Sequence, residues 1–338
     1  MYHLVTAHSQ AIVPFVAFLA GIDKRRPNLL RVLMYHRVAE PDTHPTLYPG
    51  LISATPEAFD QQMSYLAANY NVVSMREVLD ACLTGAALPH RSVLITFDDG
   101  YCDFAENAWP TLKRYGLLAT LFVATAFPDH PERTFWWDRL YLAVHSTTRR
   151  DQIETPIGRL PLTTPGQRAQ AFDRLKEYLK TLPHHRAMAL VEQIVAELGT
   201  CNAEHSVLDW SRLRQLASEG VTLGAHTRTH PMMPCISAEE VRSEAIGSLH
   251  DLEREVGPTL PIFAYPSGGF NDEVTHILER EGFVLAFTTV RGINDLRNAD
   301  RLRLRRIGIG QRTTLPIFRA QLLSSSRYLN RWWSHGHA

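Results

Sequence analysis

Residues 93–108 read VLITFDDGYCDFAENA, an apolar run rich in β-branched residues that ends in two adjacent aspartates. The run has the length and composition of a buried strand. Adjacent side chains on a strand point to opposite faces, so Asp98 and Asp99 cannot both be ordinary surface groups unless the strand has already ended. The pair therefore either begins a loop or lies at the mouth of a buried strand, next to a positive charge.

Seven other apolar runs have the same character, and helix-like segments alternate with most of them. The strand-like runs are RVLMYHRV, NVVSM, ATLFVAT, GVTLGAHT, PIFAYPSG, LAFTTV and RLRRIGI. The helix-like segments are TPEAFDQQMSYLAANY, AENAWPTLKRYG, SAEEVRSEAIGSLHDLEREVG and DEVTHILEREG. Strand followed by helix, repeated this often, indicates a parallel sheet of the α/β class and favours its closure into a distorted (β/α)7–8 barrel.

The alternation breaks at about 145–210, where a polar, loop-like stretch at 147–167 precedes two helix-like segments with no strand between them. We interpret 145–210 as a helical insertion in a barrel that spans 30–312. Residues 1–29 are an apolar or amphipathic segment before the barrel. Residues 313–338 are predicted to form a last amphipathic helix with a frayed end.

The composition is that of an ordinary globular protein, with 45% hydrophobic and 21% charged residues. Lys plus Arg and Asp plus Glu are 35 each, so the formal net charge is zero and nucleic acid is not an expected partner. The four cysteines have no CxxC spacing. This argues against a zinc ribbon and a dense disulfide framework, and it is compatible with a reducing compartment.

The N-terminal stretch AIVPFVAFLAGI (residues 11–22) is apolar but too short to span a bilayer, and its basic residues follow it. A secretory signal has the opposite order. We therefore expect a packed or membrane-peripheral helix and a cytoplasmic or membrane-peripheral location, which leaves peripheral membrane association open. Export with a cleaved signal peptide is the alternative.

A second polar cluster, HTRTH at 226–230, follows the strand-like run GVTLGA. His226 and His230 share one face if the segment turns helically after the strand, and imidazole is a good ligand for zinc and similar divalent metals. A carboxylate would complete a set of three ligands with a position open for water. Parallel strands end at one barrel face, so we predict a hydrolytic metal site in which one aspartate holds the metal and its neighbour acts as general base.

Each of these features also has a simpler interpretation. An aspartate pair at a strand end commonly forms a turn or a helix cap, and in a chain with 16 histidines some lie four residues apart by chance. Their occurrence together, at predicted strand ends of one barrel, favours a site. His36 also ends a strand-like run, and a core histidine and a site-lining histidine are equally compatible with its position.

Three motifs, in this order, resemble those of the polysaccharide deacetylases, the NodB-homology domains of carbohydrate esterase family 4. They are TFDDG at 96–100, HTRTH at 226–230 and FAYPSG at 263–268. YHRV and FWWDRL resemble the exopolysaccharide-associated branch, and the resemblance covers the barrel without its insertion.

The resemblance implies a metal-dependent hydrolase that removes N-acetyl groups from an amino-sugar polysaccharide, an oligosaccharide or a lipid-linked glycan. An N-acetylated carbohydrate is then the expected partner. A deformylase or another amidohydrolase of the same fold is one alternative. A catalytically impaired glycan-binding protein is the other.

The resemblance also assigns roles to single residues. Asp98 is the implied catalytic base, and the implied metal ligands are Asp99, His226 and His230. Zinc is the first expectation for the metal, with cobalt, nickel or iron as alternatives. The backbone N–H of Ser267, which follows Pro266, is the implied donor to the oxyanion, worth about 3–4 kcal/mol of barrier.

Two departures from the family pattern affect the site. The arginine usual in the third motif is replaced by Ala264, and the late histidine is missing from RLRLRRIGIG. Arg305 or Arg306 from that stretch can supply the missing positive charge, since alternate residues point inward, and Arg306 is our candidate. For the general acid we take His36 first and a metal-bound water second.

Aromatic and polar side chains of two segments are candidates for sugar binding. Trp136, Trp137 and Asp138 would form a lip over the site, because aromatic faces stack on sugar rings and a carboxylate binds a hydroxyl. The alternative is that they anchor the insertion on the barrel. Tyr265 and Pro266, beside the oxyanion donor, are also expected to contact substrate.

Overall fold

The computed structural model describes residues 28–41, 48–149, 151–199 and 206–323. The predicted N-terminal helix at 11–22 lies outside these residues, as does the part of the predicted C-terminal helix beyond 323. None of the described helices combines the length and the apolar composition that crossing a bilayer requires.

Seven parallel strands in the described part of the chain close into a barrel. The described strands are β1 (Leu29–Tyr35), β2 (Arg37–Val38), β3 (Ile52–Ala54), β4 (Asn71–Val72), β5 (Ser92–Phe97), β6 (Thr120–Val123), β7 (Gln152–Thr155), β8 (Gly158–Pro161), β9 (Thr222–Ala225), β10 (Ile262–Ala264), β11 (Leu285–Arg291), β12 (Asn294–Asp295) and β13 (Leu304–Gly308). The order around the ring is β1–β13–β11–β10–β9–β6–β5, and β5 pairs again with β1. The predicted distorted α/β barrel is confirmed. The NVVSM run becomes β4, which pairs with the start of β5 outside the ring.

Helices follow most of the barrel strands, as the alternation predicts. The described α-helices are α1 (Pro56–Asn69), α2 (Met75–Thr84), α3 (Trp109–Arg114), α4 (Trp136–Ser146), α5 (Pro165–Leu179), α6 (His184–Leu198), α7 (Trp210–Ser218), α8 (Ala238–Val256), α9 (Asp272–Arg280) and α10 (Leu315–Gln321). Side-chain caps fix where several of them begin. Thr55 accepts from the Ala58 N–H, and Ser237 forms a reciprocal capping box with Glu240.

The side chains of β5 point alternately into and out of the barrel, and this alternation determines where the candidate site lies. Leu94 belongs to an apolar cluster of inward-facing strand residues, and Val78 and Leu79 of α2 belong to the same cluster. Two residues further along the same face, Thr96 is fully buried, and two residues beyond it comes Asp98. The barrel interior is therefore apolar at one end and becomes polar toward the carboxyl ends of the strands, where parallel barrels place their functional groups.

The insertion contains a β-hairpin that the sequence did not predict. Residues 147–167 were expected to be loop-like, but β7 and β8 pair antiparallel within them. Ile153 and Leu160 are buried in a cluster with apolar residues of α4, α5 and α6. The prediction was wrong because each strand has only four residues, and the exposed polar ones between the apolar positions hide the two-residue period.

Candidate active site

The aspartate pair lies where strand β5 has ended. The Asp98 N–H still donates to the Tyr35 carbonyl at 3.0 Å, so Asp98 continues the inward alternation of the strand. Asp99 has φ 76°, in the left-handed region, and this turns the chain so that both carboxylates line one cavity. They are only 3% and 2% exposed. Backbone geometry, which the sequence did not reveal, thus resolves how two neighbours face the same site.

The two histidines converge through an irregular loop and not through a helical turn, which was the condition considered for placing them on one face. Thr227 and His230 have φ 62° and 59°, and the His230 N–H donates to Thr227 Oγ1 at 3.0 Å. His230 precedes Pro231, and the residue before proline disfavours the right-handed helical region. The imidazole centroids are nevertheless 4.8 Å apart. Left-handed backbone at non-glycine residues costs about 1–3 kcal/mol each and is typical of functional sites.

Asp99, His226 and His230 fit a divalent metal. One ligand atom from each lies within 4.8 Å of the other two. Asp99 Oδ1 is 3.4 Å from His226 Nε2 and 3.5 Å from His230 Nε2, and this buried oxygen has no hydrogen-bond partner among the described residues. Ligands about 2.0–2.2 Å from a tetrahedral zinc are about 3.4 Å apart, so these separations suit a shared cation better than direct hydrogen bonds.

A hydrogen bond of His226 and the burial of His230 support the same arrangement. His226 Nδ1 lies 2.7 Å from the Ala264 carbonyl, which can only accept, so Nδ1 carries a proton and Nε2, on the side of Asp99, is left to bind a cation. Burial alone would lower the pKa of His226, but the adjacent carboxylates of Asp99 and Asp98 outweigh it and raise that pKa. Burial lowers the pKa of His230 to about 3, so this ring is neutral and available as a ligand.

Asp98 forms an ion pair with Arg306, which faces into the barrel from β13. Arg306 donates from Nη1 and Nη2 to the two carboxylate oxygens, both at 2.7 Å, and from Nε to the Thr288 carbonyl at 2.9 Å. Its neighbour Arg305 is exposed. Burial would raise the pKa of Asp98, but the adjacent guanidinium holds it below the usual range. Arg306 therefore provides, from another strand, the positive charge that Ala264 in the third motif does not provide.

Ser267 lies in a tight turn at the carboxyl end of β10 and lines the same cavity. It has φ 50°. The N–H groups of Gly268 and Gly269 donate within the turn, to the carbonyls of Tyr265 and Pro266. Gly268 has φ 71°, and a Cβ there would collide with Thr289 Oγ1 at 2.0 Å. The turn that presents Ser267 thus depends on glycine at 268.

The cavity that these groups share has a volume of about 190 Å³ and is also lined by His36, Trp136 and Trp137. His36 is partly buried, and its backbone N–H donates to Ser53 Oγ. The Trp137 ring packs edge-on against His230 at 4.8 Å, and its Nε1 donates to the Tyr101 hydroxyl at 2.9 Å. Trp137 therefore both borders the cavity and supports a candidate ligand.

The structure does not bring Asp138 or Tyr265 to the cavity, which corrects the expectation that they bind substrate. Asp138 is 1% exposed and accepts from Arg37 Nη2 at 2.9 Å and from the Tyr48 N–H at 3.0 Å. Tyr265 is fully buried, and its hydroxyl donates to the Leu302 carbonyl. Both polar groups are satisfied inside the protein. Pro266 is buried beside Tyr265 and contributes to the turn instead.

Sequence reasoning missed the buried partner of Asp138. Arg37, from YHRV, lies 3.6 Å from the centroid of the Tyr101 ring and is 1% exposed. An arginine inside a strand-like apolar run was the available signal, because a buried charge requires a partner. Lys176 and Lys180, which also line the cavity, gave no such signal, since they lie on and directly after an ordinary helix of the insertion.

Comparison with known proteins identifies the family. The family described as polysaccharide deacetylase matches residues 85–155 and 161–286, more than half of the chain. The chain belongs to the polysaccharide deacetylase family. It is therefore a hydrolase of amide bonds, as the three motifs led us to expect.

Individual relatives are distant. The YxkH protein of Bacillus subtilis is 22% identical over 275 residues, which cover 81% of this chain and 69% of that protein. The poly-beta-1,6-N-acetyl-D-glucosamine N-deacetylase of Escherichia coli K12 is 22% identical over 283 residues, 81% of this chain but only 36% of that protein. The solved structure of the Streptococcus pyogenes deacetylase PplD in complex with acetate is 22% identical, with a TM-score of 0.59 over 88% of this chain and 99% of that one. The last likeness shows the shared fold.

Proposed function

We propose that this chain is a metal-dependent deacetylase that removes N-acetyl groups from amino sugars of a glycan. The observation that carries the proposal is the convergence, in one small cavity, of a three-donor metal set and a carboxylate held separately by Arg306. Membership of the polysaccharide deacetylase family gives the substrate class. The name of the Escherichia coli relative supports an N-acetylated glucosamine polymer within that class.

Asp99, His226 and His230 would hold the metal. A divalent cation there would polarise the acetyl carbonyl and lower the pKa of water. Two imidazoles and one carboxylate, with one position left open, are a donor set of catalytic zinc sites, so zinc is our first candidate.

Asp98 would take the proton from the attacking water. Arg306 uses one lone pair on each carboxylate oxygen, and the remaining lone pairs can accept from water. Because the guanidinium keeps Asp98 ionised at neutral pH, the base is ready before substrate binds. General base catalysis of this kind is worth about one hundredfold to ten-thousandfold in rate.

Ser267 and His36 would complete the reaction. The Ser267 N–H is our candidate donor to the oxyanion, since the next two N–H groups of the turn are used within it. His36 is our candidate for the proton that the leaving amine requires. Breakage of the carbon–nitrogen bond then gives acetate and the free amine. The cycle closes when Asp98 releases its proton to solvent and His36 takes up a proton from solvent.

The shape of the site suits one group of a longer ligand. About 190 Å³ is less than the 300–1,000 Å³ of typical enclosed ligand pockets, so the cavity fits part of an oligosaccharide rather than all of it. Trp136 lines both this cavity and an adjacent groove of about 830 Å³ between α4 and α6. An extended glycan with its acetamido group in the cavity would continue into that groove.

Zinc-loaded protein and chitotetraose test the proposal through acetate release. Asp98→Asn should abolish release while the zinc content, measured by mass spectrometry, stays at the wild-type level. Chelation should abolish release in the wild type, and added zinc should restore it. If the zinc-loaded wild type binds N-acetylated glycans but releases no acetate from any of them, the chain is a glycan-binding protein and the proposal is wrong.

A further inference from the structure

Two lysines of the insertion line the cavity that contains the candidate metal ligands. Lys176 lies near the end of α5 and Lys180 directly follows the helix, and both border the cavity alongside Asp98 and Asp99. The whole chain has four lysines against 31 arginines. Half of the lysines of a protein that uses arginine almost everywhere else therefore lie at one small opening.

Their acidic neighbours are on the solvent side. Lys176 Nζ lies 3.1 Å from Asp173, and Lys180 Nζ lies 3.3 Å from Glu177. The lysine side chains are 18% and 32% exposed, whereas the carboxylates are 64% and 67% exposed and neither lines the cavity. Exposed pairs three residues apart on a helix contribute little energy. A ligand anion can therefore compete for both ammonium groups.

Lys176 is held in place toward the cavity. Its Nζ donates to the Tyr48 hydroxyl at 3.0 Å and lies 5.2 and 5.4 Å from the ring centroids of Tyr48 and Phe172. These contacts orient the ammonium without neutralising it. Burial would lower the pKa of Lys176, but the hydrogen bonds with Tyr48 and Asp173 raise it, so the group is cationic at neutral pH.

The acidic groups inside the cavity do not compensate the lysines. Asp98 is paired on both oxygens with Arg306. Asp99 faces His226 and His230 and would be neutralised there by the proposed metal. A glycan that filled the cavity would remove water from the two ammonium groups, and an anionic group of the glycan would compensate for that loss better than a neutral one.

We propose that Lys176 and Lys180 form an anion subsite, which selects glycans that carry a carboxylate or phosphate on the reacting amino sugar or its immediate neighbour. The inference rests on the proposed deacetylase function for the reacting group. The anionic oxygens would come from a uronic acid of the polymer or from the phosphate of a carrier-linked sugar, and both would accept hydrogen bonds from the ammonium groups.

The test compares three N-acetylated substrates on zinc-loaded protein. Chitotetraose is neutral, a heparosan tetrasaccharide carries glucuronate carboxylates, and UDP-N-acetylglucosamine carries phosphates. We expect kcat/KM of the wild type to be higher for at least one anionic substrate than for chitotetraose. Lys176→Met with Lys180→Met should lower that value about tenfold to one hundredfold, should remove its salt dependence, and should change chitotetraose less than threefold. The substrate affected identifies the source of the anion.

Matched variants separate charge from structure. Lys113→Met removes a lysine that pairs with Glu219 on the surface, outside the lining of this cavity, and should change none of the three substrates. Lys176→Arg keeps the charge and should restore most of the preference if Lys176→Met alone is poorly folded. Equal losses on neutral and anionic substrates, or a wild-type preference for chitotetraose, would overturn the subsite.

The inference and the proposed function fail in different ways. Asp98→Asn protein, loaded with zinc, can be titrated with the heparosan tetrasaccharide in a calorimeter without turnover. Binding at least tenfold weaker in the double lysine variant supports the anion subsite even if no substrate is deacetylated. Release of acetate from chitotetraose, together with unchanged binding of both the heparosan tetrasaccharide and UDP-N-acetylglucosamine in the double lysine variant, supports the deacetylase and rejects the subsite.

Discussion

Replacing Arg306 with methionine tests whether Arg306 keeps Asp98 ionised and oriented as a general base. The pair is almost fully buried, at 0% and 3% exposure, and two charge-assisted hydrogen bonds of 2.7 Å join it. Methionine fills much of the space but leaves a carboxylate without its cation. Breaking a buried pair from one side costs about 3–5 kcal/mol, so we expect the free energy of unfolding at neutral pH to fall by that order.

The same change should shift the pH dependence of catalysis. In the wild type Arg306 lowers the pKa of Asp98 against the opposing effect of burial. When Arg306 is removed, burial is left to raise the pKa of Asp98. A nearby opposite charge typically lowers the pKa of a carboxyl group by about 1–3 units. The acid limb of kcat/KM should therefore move to higher pH by at least one unit. At neutral pH we expect a loss of about one hundredfold, because a base that is misoriented or protonated supplies little of its rate effect.

The free energy of unfolding of Arg306→Met should also depend on pH, in a direction set by the raised pKa of Asp98. In Arg306→Met the ionised Asp98 destabilises the folded state above its raised pKa, and protonation relieves this as the pH falls. The stability deficit relative to wild type should thus be largest at neutral pH and shrink in acid. Urea unfolding between pH 4 and 8, zinc analysis and pH–rate profiles measure these effects.

Arg305→Met is the control, because its side chain is exposed on the same strand. It should change neither the stability nor the pH profile of the protein. An Arg306→Met protein with wild-type stability and an unmoved acid limb would refute the account of Asp98.

Three further changes test the rest of the site and the insertion. His230→Ala should weaken zinc binding at least tenfold, as measured by competition with a chelator, because only two donors remain. Gly268→Ala should reduce kcat and stability, since the new Cβ meets Thr289 in a left-handed backbone, whereas Gly269→Ala, with φ −73°, should be milder by both measures. Leu175→Ala, fully buried in the cluster of the insertion, should cost about 2–5 kcal/mol in urea unfolding, and a loss below 1 kcal/mol would mean that this cluster is loosely packed.

Local patterns were sufficient for the barrel and for the reactive residue types. Each predicted barrel strand is a short apolar run, and burial on both faces of a parallel sheet produces that pattern without reference to distant residues. The aspartate pair and the two histidines were found because residue type and strand-end position are both visible in sequence. The choice of Arg306 over Arg305 needed only the alternation of a strand, once its register was known.

Conformation and long-range pairing were not visible in this way. The histidine loop is irregular because Thr227 and His230 adopt left-handed backbone, which residue type alone does not predict. Asp138 was assigned to substrate, yet Arg37, 101 residues away, already pairs with it. The short hairpin of the insertion escaped notice for a different reason, since four-residue strands carry too little periodicity to distinguish them from loop.

The sequence by itself determined the barrel strands, most of the helices and the set of groups capable of metal and base chemistry, because these depend on side-chain type and on periods of two or about 3.6 residues. Only the tertiary structure decided which charges neutralise one another and which remain available to a ligand. Arg306 is paired with Asp98 and Arg37 with Asp138, whereas Lys176 and Lys180 line the cavity. That division depends on distances between segments far apart in the chain, and electrostatic interaction varies with distance and burial rather than with position in the sequence.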